Sequence, residues 1–237
     1  MRARAQRDDA LLLRSVDYGD ADRILTLLTP QHGKFSVLAK AARKSKRRFA
    51  GSLEPFALLT VEFATAKSGL ARLESAVTRR AFPKLLGDLA RMNAAGAAFR
   101  LLRDLMPEDA PDPGVFADAV QLLEALDAGE LPARALSVCF ELTQLARAGW
   151  SPGLEACGVC GKPARGHPGD FDARRGYLVC QACGGAAYRL RASVRHAWEQ
   201  ACQGDFREAA AAEWTSDDLD VSERAVAAFI EHRLHTA

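Results

Sequence analysis

The spacing of apolar residues changes character near residue 80. Before that point they come in short runs cut by turn signals, which predict strands. Residues 10–16 form the first run, ending at the turn-like Asp17-Tyr18-Gly19-Asp20. Residues 23–29 form a second, which stops at Pro30 and leads into the hairpin-like Gln31-His32-Gly33-Lys34. Residues 35–39 and 55–63 are a third and a fourth. Residues 70–77 are a fifth, after the Lys67-Ser68-Gly69 turn. Five strands in so short a stretch fit a small closed barrel, since closure removes the edges that would pair with other chains. Strand count alone does not separate an OB barrel from an SH3-like one.

From Pro83 the spacing turns helical. Leu85, Leu86, Leu89 and Met92 recur at intervals of three and four, and Phe99, Leu102 and Leu105 continue the pattern. The segment from Met106 through Pro107 and Pro111 to Pro113 breaks the helix. Residues 115–126 predict a second helix closed by Gly129, and residues 132–148 a third with Gly149 as its C-terminal cap. A cysteine-rich segment occupies residues 150–188. Two amphipathic stretches, 192–202 and 222–234, finish the chain. A β-rich start and an α-rich remainder predict an α+β protein with domains at residues 1–80 and 81–237.

Composition adds bounds. At 237 residues, 49% hydrophobic and 26% charged, the chain has the apolar material for a real core without covalent staples. No apolar run approaches the roughly 18 residues of a membrane span, so none is expected. Residues 1–9 are charged and lack the apolar stretch of a secretory signal. The expected compartment is therefore a reducing cytoplasm, where six cysteines serve as thiols or metal ligands rather than disulfides.

The net charge of +2 conceals an asymmetry. Residues 1–50 hold twelve Lys and Arg against five Asp, a surplus of +7 that leaves −5 for the remainder. Such a split points to a polyanionic partner for the N-terminal part. The surplus peaks at Lys40-Ala41-Ala42-Arg43-Lys44-Ser45-Lys46-Arg47-Arg48-Phe49, where six of the nine residues from 40 to 48 are cationic and none is acidic. Each cation that meets a backbone phosphate releases condensed counterions and adds salt-sensitive affinity. Phe49, and Phe35 on the preceding strand, are the candidate stacking surfaces for unpaired bases. The bland alternative is a solvated charge run.

The sharpest motif is Cys157-x-x-Cys160 followed, after nineteen residues, by Cys180-x-x-Cys183. Each pair fits a tight turn that aims two sulfurs at one ion, and two turns supply a tetrahedron; the spacing is that of a structural zinc site. Gly161 and Gly184 follow the pairs where such turns need unusual backbone angles, and Gly158 and Gly185 add freedom. With four thiolates the site is closed and leaves no position for substrate. A redox dithiol would stand alone at a strand-to-helix junction of a βαβ unit, a context missing here. Cys139, on a helix beside Leu136, Phe140 and Leu142, reads as a buried core thiol. Asp17, Asp20 and Asp22 read as a polar turn, with Asp20 or Asp22 pairing with Arg23. The five histidines are scattered, and no phosphate loop, dinucleotide fingerprint, nucleophile elbow or His-Glu-x-x-His helix is present. A binding protein, and not an enzyme, is the expectation.

Three stretches together resemble the RecO family of recombination mediators. They are Leu13-Arg14-Ser15-x-Asp17-Tyr18-Gly19-Asp20-x-Asp22-Arg23-Ile24-Leu25-Thr26-Leu27-Leu28-Thr29 with Gly33-Lys34; the basic segment with Leu53-x-Pro55-Phe56; and Phe140-Glu141-Leu142-x-x-Leu145-x-x-x-Gly149-Trp150-Ser151-Pro152 running into Cys157. The resemblance implies an OB-fold at residues 1–80 and a helical domain with an embedded zinc finger at about 150–188. It further implies binding of single- and double-stranded DNA, annealing of complementary strands, and loading of RecA, with RecR, onto DNA coated by single-stranded-DNA-binding protein. RecR and the acidic C-terminal tail of the coating protein would be the partners, in the bacterial cytoplasm at the nucleoid. Under this reading Arg23, Lys34, Lys40, Arg43, Lys44, Lys46, Arg47 and Arg48 contact phosphates, while Cys157, Cys160, Cys180 and Cys183 hold one structural zinc ion. One departure is visible: Ala41 stands where many relatives have Gly. The competing reading is a partner-binding scaffold with a structural zinc finger and little affinity for naked DNA.

Overall fold

A computed structural model describes residues 5–45, 48–49, 52–65, 70–164 and 167–236. Its contacts fall into two compact units, Met1–Leu89 with Phe99–Asp127 and Ala90–Ala98 with Ala128–Ala237. The helical stretch 99–127 thus groups with the strands rather than with the later helices.

In the first unit the strands are β1 (Ala5–Tyr18), β2 (Asp22–Thr29), β3 (Gly33–Ala39), β4 (Leu58–Ala64) and β5 (Ala71–Arg80). Their order is β1-β2-β3-β5-β4, and β4 pairs back onto β1 to close the barrel. Only β3 and β5 run parallel, through Val37↔Ala71 and Leu38↔Arg72. This is the Greek-key order of an OB barrel, which strand count had left open.

β1 is twice the length its apolar run predicts. Residues Ala5 to Leu11 pair with β4, whereas Leu11 to Tyr18 pair with β2, with an irregularity between Leu12 and Arg14. A bulge at that point bends the strand so that one chain serves two neighbours. Its polar ends are held by those backbone partners and carry no apolar signal of their own.

The barrel is filled by Leu25, Leu27, Val37, Leu59, Val61, Phe63 and Leu73, among others. Each buried side chain of this size contributes roughly 1.5–3 kcal/mol. Phe35 belongs to this core, its ring 4.9 Å from that of Phe63. Phe49 is 2% exposed and belongs to it as well.

The helical spacing beyond Pro83 resolves into two helices rather than one, α1 (Pro83–Leu86) and α2 (Leu89–Leu105). Asp127 Oδ1 accepts the N–H groups of Lys84 and Leu85 at 2.8 and 3.0 Å, satisfying donors that α1 leaves free. α3 (Pro113–Ala128) starts where Asp112 Oδ1 accepts the N–H groups of Gly114 and Val115.

The second unit contains α4 (Ala133–Arg147) and short strands β6 (Gly153–Cys157), β7 (Gly169–Asp172), β8 (Tyr177–Val179) and β9 (Tyr188–Leu190), ordered β6-β8-β7-β9. α5 (Ala192–Cys202), α6 (Phe206–Ala210) and α7 (Ser216–Thr236) follow. Phe171 of the sheet packs edge-on against Trp198 of α5 and Phe229 of α7, at 5.3 and 5.7 Å. Cys139 is fully buried, as expected of a core thiol. α6 has too few residues to show a period, and α7 starts six residues before its apolar pattern. Thr215 and Asp218 explain that early start. Asp218 Oδ2 accepts the Thr215 N–H at 2.8 Å, and Thr215 Oγ1 accepts the Asp218 N–H at 3.2 Å, a reciprocal cap. Burial pushes the Asp218 carboxyl up, but hydrogen bonds from Arg191 and Thr215 outweigh it and hold the group down at about 2. Among the described residues no helix is long and apolar enough to cross a membrane.

Candidate nucleic-acid interface and metal centre

Cys157 ends β6, and Cys160 closes the turn after it. Cys180 follows β8, and Cys183 ends a single 3-10 turn. The four sulfurs lie within 4.8 Å of one another, with Cys160 Sγ and Cys180 Sγ 3.7 Å apart. Thiolates about 2.3 Å from one tetrahedral ion would sit roughly 3.8 Å from each other, so the set fits a single metal ion. Gly161 and Gly184 have φ of 73° and 103°, the left-handed backbone both turns require. Gly158 serves close approach instead: a Cβ there would run into the Tyr177 ring.

Hydrogen bonding within the cluster sets two of the thiols apart. The Cys180 N–H, then that of Cys160, pulls the Cys157 thiol down to about 6. Hydrogen bonding with Cys180, then Cys160, pushes Cys183 up to about 12. Four sulfurs this close do not all ionise without a positive charge between them.

On the barrel, Arg23 sits between two adjoining grooves. One, of about 450 Å³, is lined by Leu12, Arg14, Ser15, Asp17, Leu53 and Pro55 among others. The second, of about 310 Å³, is lined by Ala42, Arg43, Ser45 and Phe49. Arg23, Leu53 and Glu54 border both. The Arg23 Nε donates to Asp17 Oδ1 at 3.1 Å, and Arg43 approaches the other oxygen of that carboxylate at 4.0 Å. Arg43 is exposed in the second groove, and Lys40 and Lys44, near it in sequence, are exposed too.

Residues 1–82 match the family described as Recombination protein O N terminal, and residues 86–236 match Recombination protein O C terminal. The chain belongs to the RecO family. It is 40% identical over 228 residues to the DNA repair protein RecO of Anaeromyxobacter sp. (strain K), covering 94% of this chain and 89% of that one. It is 43% identical over 190 residues to the DNA repair protein RecO of Myxococcus xanthus, covering 79% and 75%. With that of Geobacter sulfurreducens it shares 37% over 178 residues, covering 75% and 72%.

Within this RecO chain the cations expected to meet phosphate do not form one set. Lys40, Arg43 and Lys44 stand exposed, with Arg43 in the lining of the second groove. Lys34 does not: it is 9% exposed, and its Nζ donates to the Arg103 carbonyl at 2.6 Å with Glu108 3.9 Å away. It ties the start of β3 to residues 103–109 and is a structural lysine. The Arg48 guanidinium donates to the Lys40 carbonyl at 2.6 Å and lies 5.1 Å over the Phe49 ring, so it braces the segment from within. Lys46 and Arg47 lie outside the described residues. Arg23 pairs with Asp17, its cross-strand neighbour, and not with Asp20 or Asp22.

Phe35 and Phe49 are excluded as stacking surfaces, because both rings fill the barrel core. Asp22 instead anchors the entry to the basic segment, where its Oδ1 accepts the Ala41 N–H at 2.7 Å. Ala41 is held there at φ 53°, a left-handed conformation that costs an L-residue about 1 kcal/mol.

Proposed function

We propose that this RecO-family chain is a recombination mediator that acts by binding DNA and carries out no chemical turnover. It would bind single- and double-stranded DNA, anneal complementary strands and, with RecR, help load RecA onto strands coated by single-stranded-DNA-binding protein. Its partners would be RecR and the acidic tail of the coating protein, in the bacterial cytoplasm at the nucleoid. Residues 1–80 would be the DNA-binding domain, and residues 81–237 the domain carrying the metal module.

The observation that carries the reading is the run of exposed Lys40, Arg43 and Lys44, of which Arg43 lines a groove bordered by Arg23. Cations so placed neutralise phosphates without reading bases, which gives affinity for any sequence. Two strands held on such a surface repel each other less, and bases left free can pair. The surface ion pairs of Arg23 and Arg43 with Asp17 are half exposed and give way to phosphate at little cost.

For the metal we propose zinc, held by Cys157, Cys160, Cys180 and Cys183. An all-sulfur donor set in two short turns favours it over harder cations. With its coordination filled by protein, the ion would supply stability alone.

The test is a salt titration of binding to a fluorescent single-stranded oligonucleotide, with annealing followed in the same samples. Each lost phosphate contact lowers the log–log salt slope by about 0.7, so replacing Lys40, Arg43 and Lys44 together by Gln should reduce it by about 2. An unchanged slope overturns the assignment. Absence of binding by the wild type at low salt favours the partner-binding scaffold.

A further inference from the structure

A groove that only neutralises phosphate would not distinguish unpaired from paired strands; a surface for bases is also needed. The phenylalanines nominated for that role are buried. Among the described residues the one Phe, Tyr or Trp ring that stands in solvent is Tyr18, 57% exposed; the others are buried or half-buried.

Its surroundings follow from the strand register. Side chains two apart on a strand share a face, so Arg14, Val16 and Tyr18 line one side of β1, about 7 Å from one to the next. All three are exposed. Cross-strand partners share a face too: Val16 pairs with Ile24, Ile24 with Leu38, and Leu38 with Arg72. The neighbouring row, with Leu25 opposite Val37, points into the core and is fully buried. The row from Val16 to Leu38 therefore lies on the outer wall of the barrel. Val16 is 41% exposed, whereas Ile24 and Leu38 are half-buried.

We propose that this outer wall is the seat for unpaired bases, with the Tyr18 ring as the stacking platform and Val16, Ile24 and Leu38 as its apolar floor. The inference rests on the DNA-binding reading above and adds to it the choice of strand state. The occupant is single-stranded DNA because cations flank this face: Arg72 ends the row beyond Leu38, and Arg14 lies two residues before Val16 on β1, while Asp22, opposite Tyr18, is engaged by the Ala41 N–H. Arg14 has no side-chain partner among the described residues, and Arg72 pairs only with the half-exposed Glu74, at 3.3 Å. Apolar surface between two cations matches a chain that alternates base and phosphate. A duplex keeps its bases stacked inside and offers this row nothing, so it would engage the groove cations alone.

Tyr18→Ala and Tyr18→Phe, made in the full chain, test this against a single-stranded oligonucleotide carrying 2-aminopurine and a duplex of the same length. Loss of one stacked base should weaken single-strand binding by about tenfold in Tyr18→Ala. Duplex affinity and the salt slope should stay as in the wild type. Tyr18→Phe keeps the ring and should restore both affinity and the quenching of 2-aminopurine. Unaltered single-strand affinity in Tyr18→Ala, or an equal loss on the duplex, overturns the proposal while leaving the phosphate groove standing. A wild type that binds neither nucleic acid removes the underlying reading instead.

Discussion

The barrel and the four-cysteine module solve the same problem with different means. The barrel encloses a continuous apolar core from five strands, and its chemistry is left to side chains on the wall and rim. The module has strands of only three to five residues, β6 to β9, around a few buried side chains such as Leu154, Phe171 and Leu178. Strands so short depend on packing against α5 and α7, through Phe171 on Trp198 and Phe229. Its turns bring four sulfurs together with left-handed glycines, so a metal ion held there would add to the small core around Phe171. Under the proposed reading the exposed cations of the barrel, such as Lys40, Arg43 and Lys44, can serve DNA because folding does not need them, whereas the thiols of the module would be taken up by a metal ion.

That contrast breaks most sharply on metal removal. Chelation, or Cys157→Ser, should release the ion and lower the melting temperature by about 10 °C, since metal binding in such modules is folding free energy. Single-strand binding by the barrel should stay within about threefold, because its core has no part in the site. Elemental analysis and calorimetry decide the first point, and fluorescence anisotropy the second. Full metal content in Cys157→Ser would sink the four-ligand assignment.

A smaller effect tests the exception to the rule, a barrel cation that folding does need. Lys34→Met removes the donor to the Arg103 carbonyl, a partly buried bond whose loss should cost about 1–3 kcal/mol. Denaturant unfolding should register the loss while the salt slope of DNA binding stays unchanged. A shallower slope with intact stability would return Lys34 to the phosphate-binding set.

The two regions were also legible to different degrees. The clustering of the four cysteines could be read from the sequence because it is local: two short turns carry all four, and glycine marks the angles those turns adopt. The five strands were legible from their apolar runs, but their ends were not. The polar ends of β1 are strand only because β4 and β2 pair with them. Which aromatic faces solvent is set by the same pairing. Phe35 and Phe49 sit beside cations in sequence yet fill the core, and nothing local distinguishes them from Tyr18. Parity along β1 could have hinted at it, because Arg14, Val16 and Tyr18 alternate with Ser15 and Asp17. The role of Lys34 depends on residues 103–109, far off in the chain, and no local pattern announces such a partner. The split of α1 from α2 is similar, since Asp127 caps α1 from more than forty residues away.

The smallest expected effect concerns an anion among the cations. Glu54 borders both barrel grooves together with Arg23, is exposed, and has no side-chain partner among the described residues. A carboxylate there does nothing visible for folding and repels any phosphate that enters. In a surface groove at moderate salt its repulsion of one nearby charge is on the order of 0.5 kcal/mol. Glu54→Gln should therefore tighten DNA binding by about twofold, leave stability unchanged, and lose its advantage as salt screens the charge. The gain should be similar for single strands and duplex, because Glu54 faces phosphates and not bases. That pattern separates the groove from the outer wall, where Tyr18→Ala should affect single strands alone. If Glu54→Gln changes nothing at low salt, phosphates do not pass through the groove, and the cations of residues 40–44 act from another side.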